Sequence, residues 1–175
     1  MEHFINNEIC VNSIRNVIDF YFHLKTLGYN IIVVSDIDDT ILSTKIGQKL
    51  VEQDIKILIE DVYNFNPNNL VFLTARDHSL KKYTNNKLNS AKLHTKSNYI
   101  LYNLLMSPYT NDGKPTKGDT FVNYFENGKG KSLLCETKKN YILFIDDSKE
   151  QIDSVKNVIN NLSNINYTLF DYKFK

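Results

Sequence analysis

Ile31-Ile32-Val33-Val34-Ser35-Asp36-Ile37-Asp38-Asp39-Thr40-Ile41-Leu42 is the stretch that decides the fold. Its first half is a continuous β-branched run, the pattern of a strand buried on both faces in a parallel sheet. The run ends in three aspartates within four positions, followed by a hydroxyl. Like charges a few Å apart repel and raise one another's pKa, and a structural turn needs one aspartate as a cap, not three. The crowding therefore points to a site that holds a cation and uses a carboxylate as nucleophile.

Two further apolar runs end in polar groups. Leu70-Val71-Phe72-Leu73 leads into Thr74, and Tyr141-Ile142-Leu143-Phe144-Ile145 leads into Asp146-Asp147. Each reads as a buried strand. Between and around them lie helical periodicities: Val11 to Leu27, Lys45 to Phe65, about 79–91, and Lys149 to Leu162. Gly128 to Lys131 opens a short helix reaching about Lys138. Tyr99 to Met106 and Phe121 to Phe125 read as the two strands of a β-hairpin near 99–125, joined by a turn-rich loop from Tyr109 to Gly118. Tyr167 to Phe170 reads as a last edge strand. Strands alternating with helices give an α/β, three-layer, Rossmann-like sandwich with a mostly parallel central sheet. We read 1–175 as a single domain, with an N-terminal helix at about 11–27 and a catalytic core at about 31–170. In open parallel sheets ligands sit beyond the carboxyl ends of the strands, and Asp36, Thr74 and Asp146 all fall there.

Composition bounds the function. Apolar residues make up 42% of the chain and charged residues 23%, ordinary for a globular protein. A net charge of +1 supplies no overall attraction to nucleic acid or an anionic membrane. Cys10 and Cys135 have no disulfide or metal-ligand spacing around them. The polar N-terminus lacks a signal-peptide core and no run approaches a membrane span. The expectation is a soluble, cytoplasmic protein.

The polar groups divide into roles suited to phosphoryl transfer, which needs a nucleophile, an acid/base and neutralisation of the phosphate oxygens. Asp36, first after the buried strand, is the candidate nucleophile. Asp38 is placed to protonate the leaving oxygen and then activate water. Thr74 offers a hydroxyl, and Asp146 and Asp147 offer the oxygen ligands that Mg2+ prefers. Arg76 either contacts substrate or pairs with Asp77 or Asp36. Asp39 reads as a turn or capping residue. His3, His23, His78 and His94 fall in no ligand pattern.

Asp36-Ile37-Asp38-Asp39-Thr40, Leu73-Thr74-Ala75-Arg76 and Phe144-Ile145-Asp146-Asp147-Ser148 resemble the first, second and fourth motifs of the haloacid dehalogenase superfamily of phosphohydrolases. The resemblance implies that Asp36 forms the aspartyl-phosphate and that Asp38 is the general acid/base. It also implies that Mg2+ is held by Asp36, the Asp38 carbonyl and the Asp146-Asp147 pair. The third motif, a lysine, has three candidates: Lys129, whose Lys129-Gly130-x-x-Leu133-Leu134 context matches best, then Lys131, then Lys117. We therefore expect a Mg2+-dependent phosphatase. Two other classes remain open, a phospho-accepting module like a response-regulator receiver and a catalytically retired fold kept for binding. No segment is long enough for a cap domain, so the expected site is open, with Arg76 and Lys131 near the substrate. Such a site admits a phosphate carried on a macromolecule.

Overall fold

The computed structural model describes residues 6–47, 49–91, 93, 103–108, 112 and 115–174. Its core is a six-stranded sheet in the order β1-β8-β7-β2-β5-β6, where β1 is Asn7–Val11, β2 Asn30–Ser35, β5 Leu70–Thr74, β6 Asn103–Met106, β7 Asn140–Asp146 and β8 Ile165–Tyr172. Every neighbouring pair is parallel, so the sheet is more uniform than "mostly parallel" requires. Helices α1 (Ile14–Thr26), α2 (Ile55–Phe65) and α3 (Lys81–Ser90) contribute to one apolar cluster, with Ile31 and Val33 of β2. Helices α4 (Lys117–Glu126) and α5 (Lys149–Ile159) contribute to a second cluster, with Ile32 and Val34. Alternate side chains of one strand thus enter two cores, and this two-sided burial is why the strand reads as an unbroken apolar run.

The chain leaves β2 toward β5 on one side and later returns to β7 on the other. The crevice between β2 and β7 is therefore the switch point of the sheet, where its strand ends splay apart. At the opposite edge a buried amide network fixes the register. Asn69 Nδ2 donates to Asn30 Oδ1 (3.1 Å), and Asn30 Nδ2 donates to Asn140 Oδ1 (2.8 Å) and to the Leu133 carbonyl (2.8 Å).

Four expectations are corrected. Phe121 to Phe125 is not a strand, and no hairpin joins it to 103–106. It belongs to α4, because Thr116 and Asp119 form a capping box and Phe121, Tyr124 and Phe125 fall on one helical face. Strong β-propensity lost to that cap. Lys45 to Phe65 is helical only from Ile55. Before it, β3 (Leu42–Ser43) and β4 (Lys49–Leu50) form a small antiparallel hairpin, with Gly47 at a positive φ of 70°. The short helix after Gly128 is a single 3-10 segment, Lys129–Leu133. β8 is not an edge strand, because β1 pairs outside it. Residues 99–102, half of the expected loop at 109–118, His3 and His94 lie outside the described residues.

Candidate active site

Three strand ends build the site. The backbone N–H of Asp36 still donates to the Ile145 carbonyl of β7 (2.8 Å), so the first aspartate is held by the sheet itself. The chain then turns. Ile41 and Leu42 both donate to the Ile37 carbonyl, and Asp39 takes a positive φ of 56°. The Asp39 carboxylate accepts from the Thr44 backbone N–H and hydroxyl, which ties the turn to the β3–β4 hairpin. Asp39 is a turn residue, as its sequence context indicates.

Asp36 and Asp146 are buried, and so is Lys117 (3% exposed). The Lys117 ammonium donates to Asp36 Oδ1 at 2.5 Å and to Asp146 Oδ2 at 2.7 Å. The lysine that meets the acidic edge is therefore the third-ranked candidate. Lys129 and Lys131 are not brought there. α4 starts at the site and runs toward the amino ends of the strands, where Asn30 of β2 binds the Leu133 carbonyl. Both lysines follow α4 and sit at that far edge, with Lys131 lining a cavity beside Tyr29 and Asn140.

What holds Lys117 in place was only partly visible in sequence. Thr116 Oγ1 accepts from the Asp119 N–H (3.1 Å), and Asp119 Oδ2 accepts from the Thr116 N–H (2.8 Å). The T-x-x-D signature at 116–119 would have put a helix start at Lys117. Gly118 presses α4 onto α5, since a Cβ there would lie 2.2 Å from the Ser154 carbonyl oxygen. Ser107, buried at the end of β6, donates to the Thr116 carbonyl (3.0 Å) and accepts from Thr120 (2.8 Å). Nothing in the local sequence singles Ser107 out as the pin of the helix start.

Asp38 points to a different partner. Its carboxylate accepts a two-point pair from Arg76, Nε to Oδ2 at 2.8 Å and Nη2 to Oδ1 at 2.5 Å. Arg76 Nη1 also donates to Thr84 Oγ1 of α3 (3.1 Å), and its backbone N–H donates to Thr74 Oγ1 (3.2 Å). The expected Asp77 or Asp36 pairing is thus replaced by Asp38. Asp77 instead caps the 3-10 turn that follows, accepting from the Ser79 N–H (2.8 Å). Thr74 is fully buried at the end of β5, beside β2.

Electrostatics follow from burial. Desolvation pushes the Asp36 carboxyl up to about 7 and raises Asp146, even though Lys117 opposes both. Burial, with the charges of Asp36 and Asp39, pushes Asp147 up to about 6. Burial pulls the Lys117 pKa down, but the two carboxylates outweigh it and hold it above the ordinary lysine range. The pocket thus carries more negative charge than one ammonium neutralises. Asp36, Asp146 and Asp147 each offer an oxygen, all within 4.8 Å of one another. An all-oxygen, carboxylate-rich edge fits a hard divalent cation such as Mg2+. The Asp38 carboxylate lies outside this group, held by Arg76.

Residues 46–174 match the family described as Protein of unknown function (DUF2608). The chain belongs to the DUF2608 family. The part that aligns with DUF2608 carries Thr74, Arg76, Lys117, Asp146 and Asp147, while Asp36 and Asp38 precede it. No curated protein and no solved structure matches the chain. No helix among the described residues is long and apolar enough to cross a membrane, and Cys10 and Cys135 are free thiols.

An over-charged buried pocket predicts a metal-linked stability. Mg2+ at a hundredfold excess over its dissociation constant should stabilise the fold by about 2.7 kcal/mol and raise Tm by roughly 5–10 °C. Protons compete with the cation at carboxyls shifted upward to about 6 and 7, so the rise should shrink as pH falls below that window. Thermal melts with Mg2+ at pH 5 and pH 8 check both statements. A shift of the same size in Asp146→Asn would place the ion elsewhere.

Proposed function

We propose that this protein is a Mg2+-dependent phosphatase of the haloacid dehalogenase type, hydrolysing phosphomonoesters through an aspartyl-phosphate on Asp36. The observation that carries the reading is the Lys117 ammonium bridging Asp36 and Asp146 at a sheet switch point, with Asp38 two residues beyond the nucleophile. Asp36, Asp146 and Asp147 are the residues that would hold Mg2+, together with the Asp38 carbonyl that the motif resemblance implies. The bound cation would offset the charge of the phosphate as it approaches the carboxylate nucleophile.

Asp36 attacks phosphorus in line, the bond from phosphorus to the leaving oxygen breaks, and that oxygen takes a proton from Asp38. Water then attacks the acyl phosphate and gives a proton to Asp38. The bond from phosphorus to Asp36 breaks and free phosphate departs. Lys117 neutralises charge on the transferring oxygens throughout. As held in the free protein, the Asp38 carboxylate accepts two N–H bonds from Arg76 and must part from it before carrying a proton. A bound phosphate supplies the competing anion for the guanidinium, which suits bidentate recognition of phosphate as well as of carboxylate. Substrate binding and release of the acid are thereby linked.

The test is phosphate release from a panel of phosphomonoesters with and without Mg2+, combined with mass spectrometry of Asp38→Asn. The expected result is Mg2+-dependent turnover by the parent and a phosphate adduct on Asp36 that persists longer in the variant. A stable adduct on the parent without turnover would instead mark a receiver-like phospho-acceptor. Neither turnover nor adduct on any ester would mark a retired fold kept for binding.

A further inference from the structure

The near-zero net charge conceals a local imbalance. From His78 to Asn111 the sequence holds Lys81, Lys82, Lys87, Lys92 and Lys96 and not one Asp or Glu, so the rest of the chain is net negative. Part of this segment is α3, which leaves the site directly: its Thr84 receives a hydrogen bond from Arg76. Lys81 and Lys82 occupy its first turn, with no acidic residue there to complement the helix dipole.

Two features continue this charge away from Asp38. Tyr83 is 47% exposed, with the Arg76 guanidinium carbon 6.0 Å and the Lys87 ammonium 5.3 Å from its ring centroid. Beyond it, Lys87 joins Lys49 of the β3–β4 hairpin and Lys56 of α2 around a cavity of about 300 Å³ that has no acidic side chain in its lining. Among the described residues, none of these three lysines has a carboxylate partner. Three cations gathered around one cavity without counter-charge repel one another, and an anion between them relieves that repulsion.

We propose that the phosphate handled at Asp36 is carried on a single-stranded oligonucleotide. Its next base stacks on Tyr83 and its following phosphates run along Lys87, Lys49 and Lys56. This rests on the phosphatase reading for the reacting phosphate, while the track itself rests on the cavity and the exposed ring. A flat aromatic surface among spaced cations matches alternating bases and phosphates. An isolated phosphoserine side chain supplies one anion and no ring. Salt screens charge beyond about 8–10 Å, so the local patch governs such a contact more than the overall charge of the protein does.

The test uses the full chain and a fluorescein-labelled, phosphorylated, single-stranded DNA of about 10 nucleotides, within the span of one binding module. Anisotropy gives affinity, and turnover gives kcat/KM relative to p-nitrophenyl phosphate. Tyr83→Ala should weaken binding about tenfold, with Tyr83→Phe restoring it. Combining Lys49→Gln, Lys56→Gln and Lys87→Gln should make the slope of log K against log salt shallower by about 2. The same triple change should lower the oligonucleotide-to-small-ester ratio tenfold or more, through KM. Equal slopes in parent and triple variant, or preference for a phosphoserine peptide, would overturn the proposal. Oligonucleotide binding that follows the track, without turnover of any phosphoester, would keep the oligonucleotide track and remove the phosphatase reading. Turnover of small esters with no oligonucleotide binding would do the reverse.

Discussion

Lys117→Met should destabilise the metal-free protein by about 3–5 kcal/mol at neutral pH and above, because it leaves two buried carboxylates facing each other without their common cation. Asp36 and Asp146 are almost wholly out of water, and Lys117 is hydrogen-bonded to both. Methionine keeps the length of the stem, so packing changes little and charge is the main variable. The pH dependence carries the sign. A carboxyl whose pKa is raised in the folded state binds protons more tightly there than in the unfolded chain. Stability from that group is therefore intact below the unfolded value near 4 and declines as pH rises through the folded value. In the parent that decline spans about 4 to 7 for Asp36 and about 4 to 6 for Asp147. Removing Lys117 raises the carboxyls further and extends the decline upward. Urea unfolding in EDTA should thus show a larger gap between parent and variant at pH 8 than at pH 5, and Mg2+ should narrow it at pH 8. Turnover should fall by about 10²–10³-fold, the cost of losing one donor to a charged transition state. Equal gaps at both pH values would mean that the lysine acts through packing rather than charge.

The central strands were legible because β2 and β7 are buried on both faces, which writes an unbroken apolar run into the sequence. α1 and α5 were legible because each buries one stripe. β1 was not. Asn7-Glu8-Ile9-Cys10-Val11 is a half-exposed edge strand, and its evidence lies in the partner strand β8, where Asn7 pairs with Thr168. α4 resembles a strand in sequence because Phe121, Val122, Tyr124 and Phe125 favour sheets locally, while the Thr116–Asp119 cap that decides the matter lies upstream.

The identity of the site lysine turned on that same helix. A ten-residue α-helix advances about 15 Å, enough to carry the chain across the depth of the sheet. The helix before β7 runs opposite to the strands, so only a residue at its start can reach the carboxyl ends. The text around Lys129 matched a motif, but Lys129 comes after the helix. The Asp38–Arg76 pair was beyond sequence reasoning for another reason. The two residues are brought together by β2 and β5 lying side by side, and no local pattern encodes that adjacency.

Asp36→Asn should reduce phosphatase turnover by at least about 10³-fold while leaving the metal-free protein as stable as the parent at pH 8, or more so. The amide cannot attack phosphorus, so the covalent route closes altogether. The stability effect runs the other way because the ionised form of Asp36 is costly: burial and the Asp146 charge push its pKa up to about 7, and at pH 8 the folded protein must carry that anion. Asparagine has nearly the same shape and still presents a carbonyl oxygen to Lys117, which keeps its ion pair with Asp146. The variant should also lose much of the Mg2+-dependent rise in Tm, since one of three oxygen ligands has lost its charge. Lys117→Met and Asp36→Asn are thus expected to be alike in activity and opposite in stability, the pattern of a nucleophile kept in a strained electrostatic setting for its chemistry. Matched kinetics and melts on the two variants test this directly. An Asp36→Asn protein that unfolds as readily as Lys117→Met would show that Asp36 serves the fold, and one with parental turnover would place the nucleophile elsewhere.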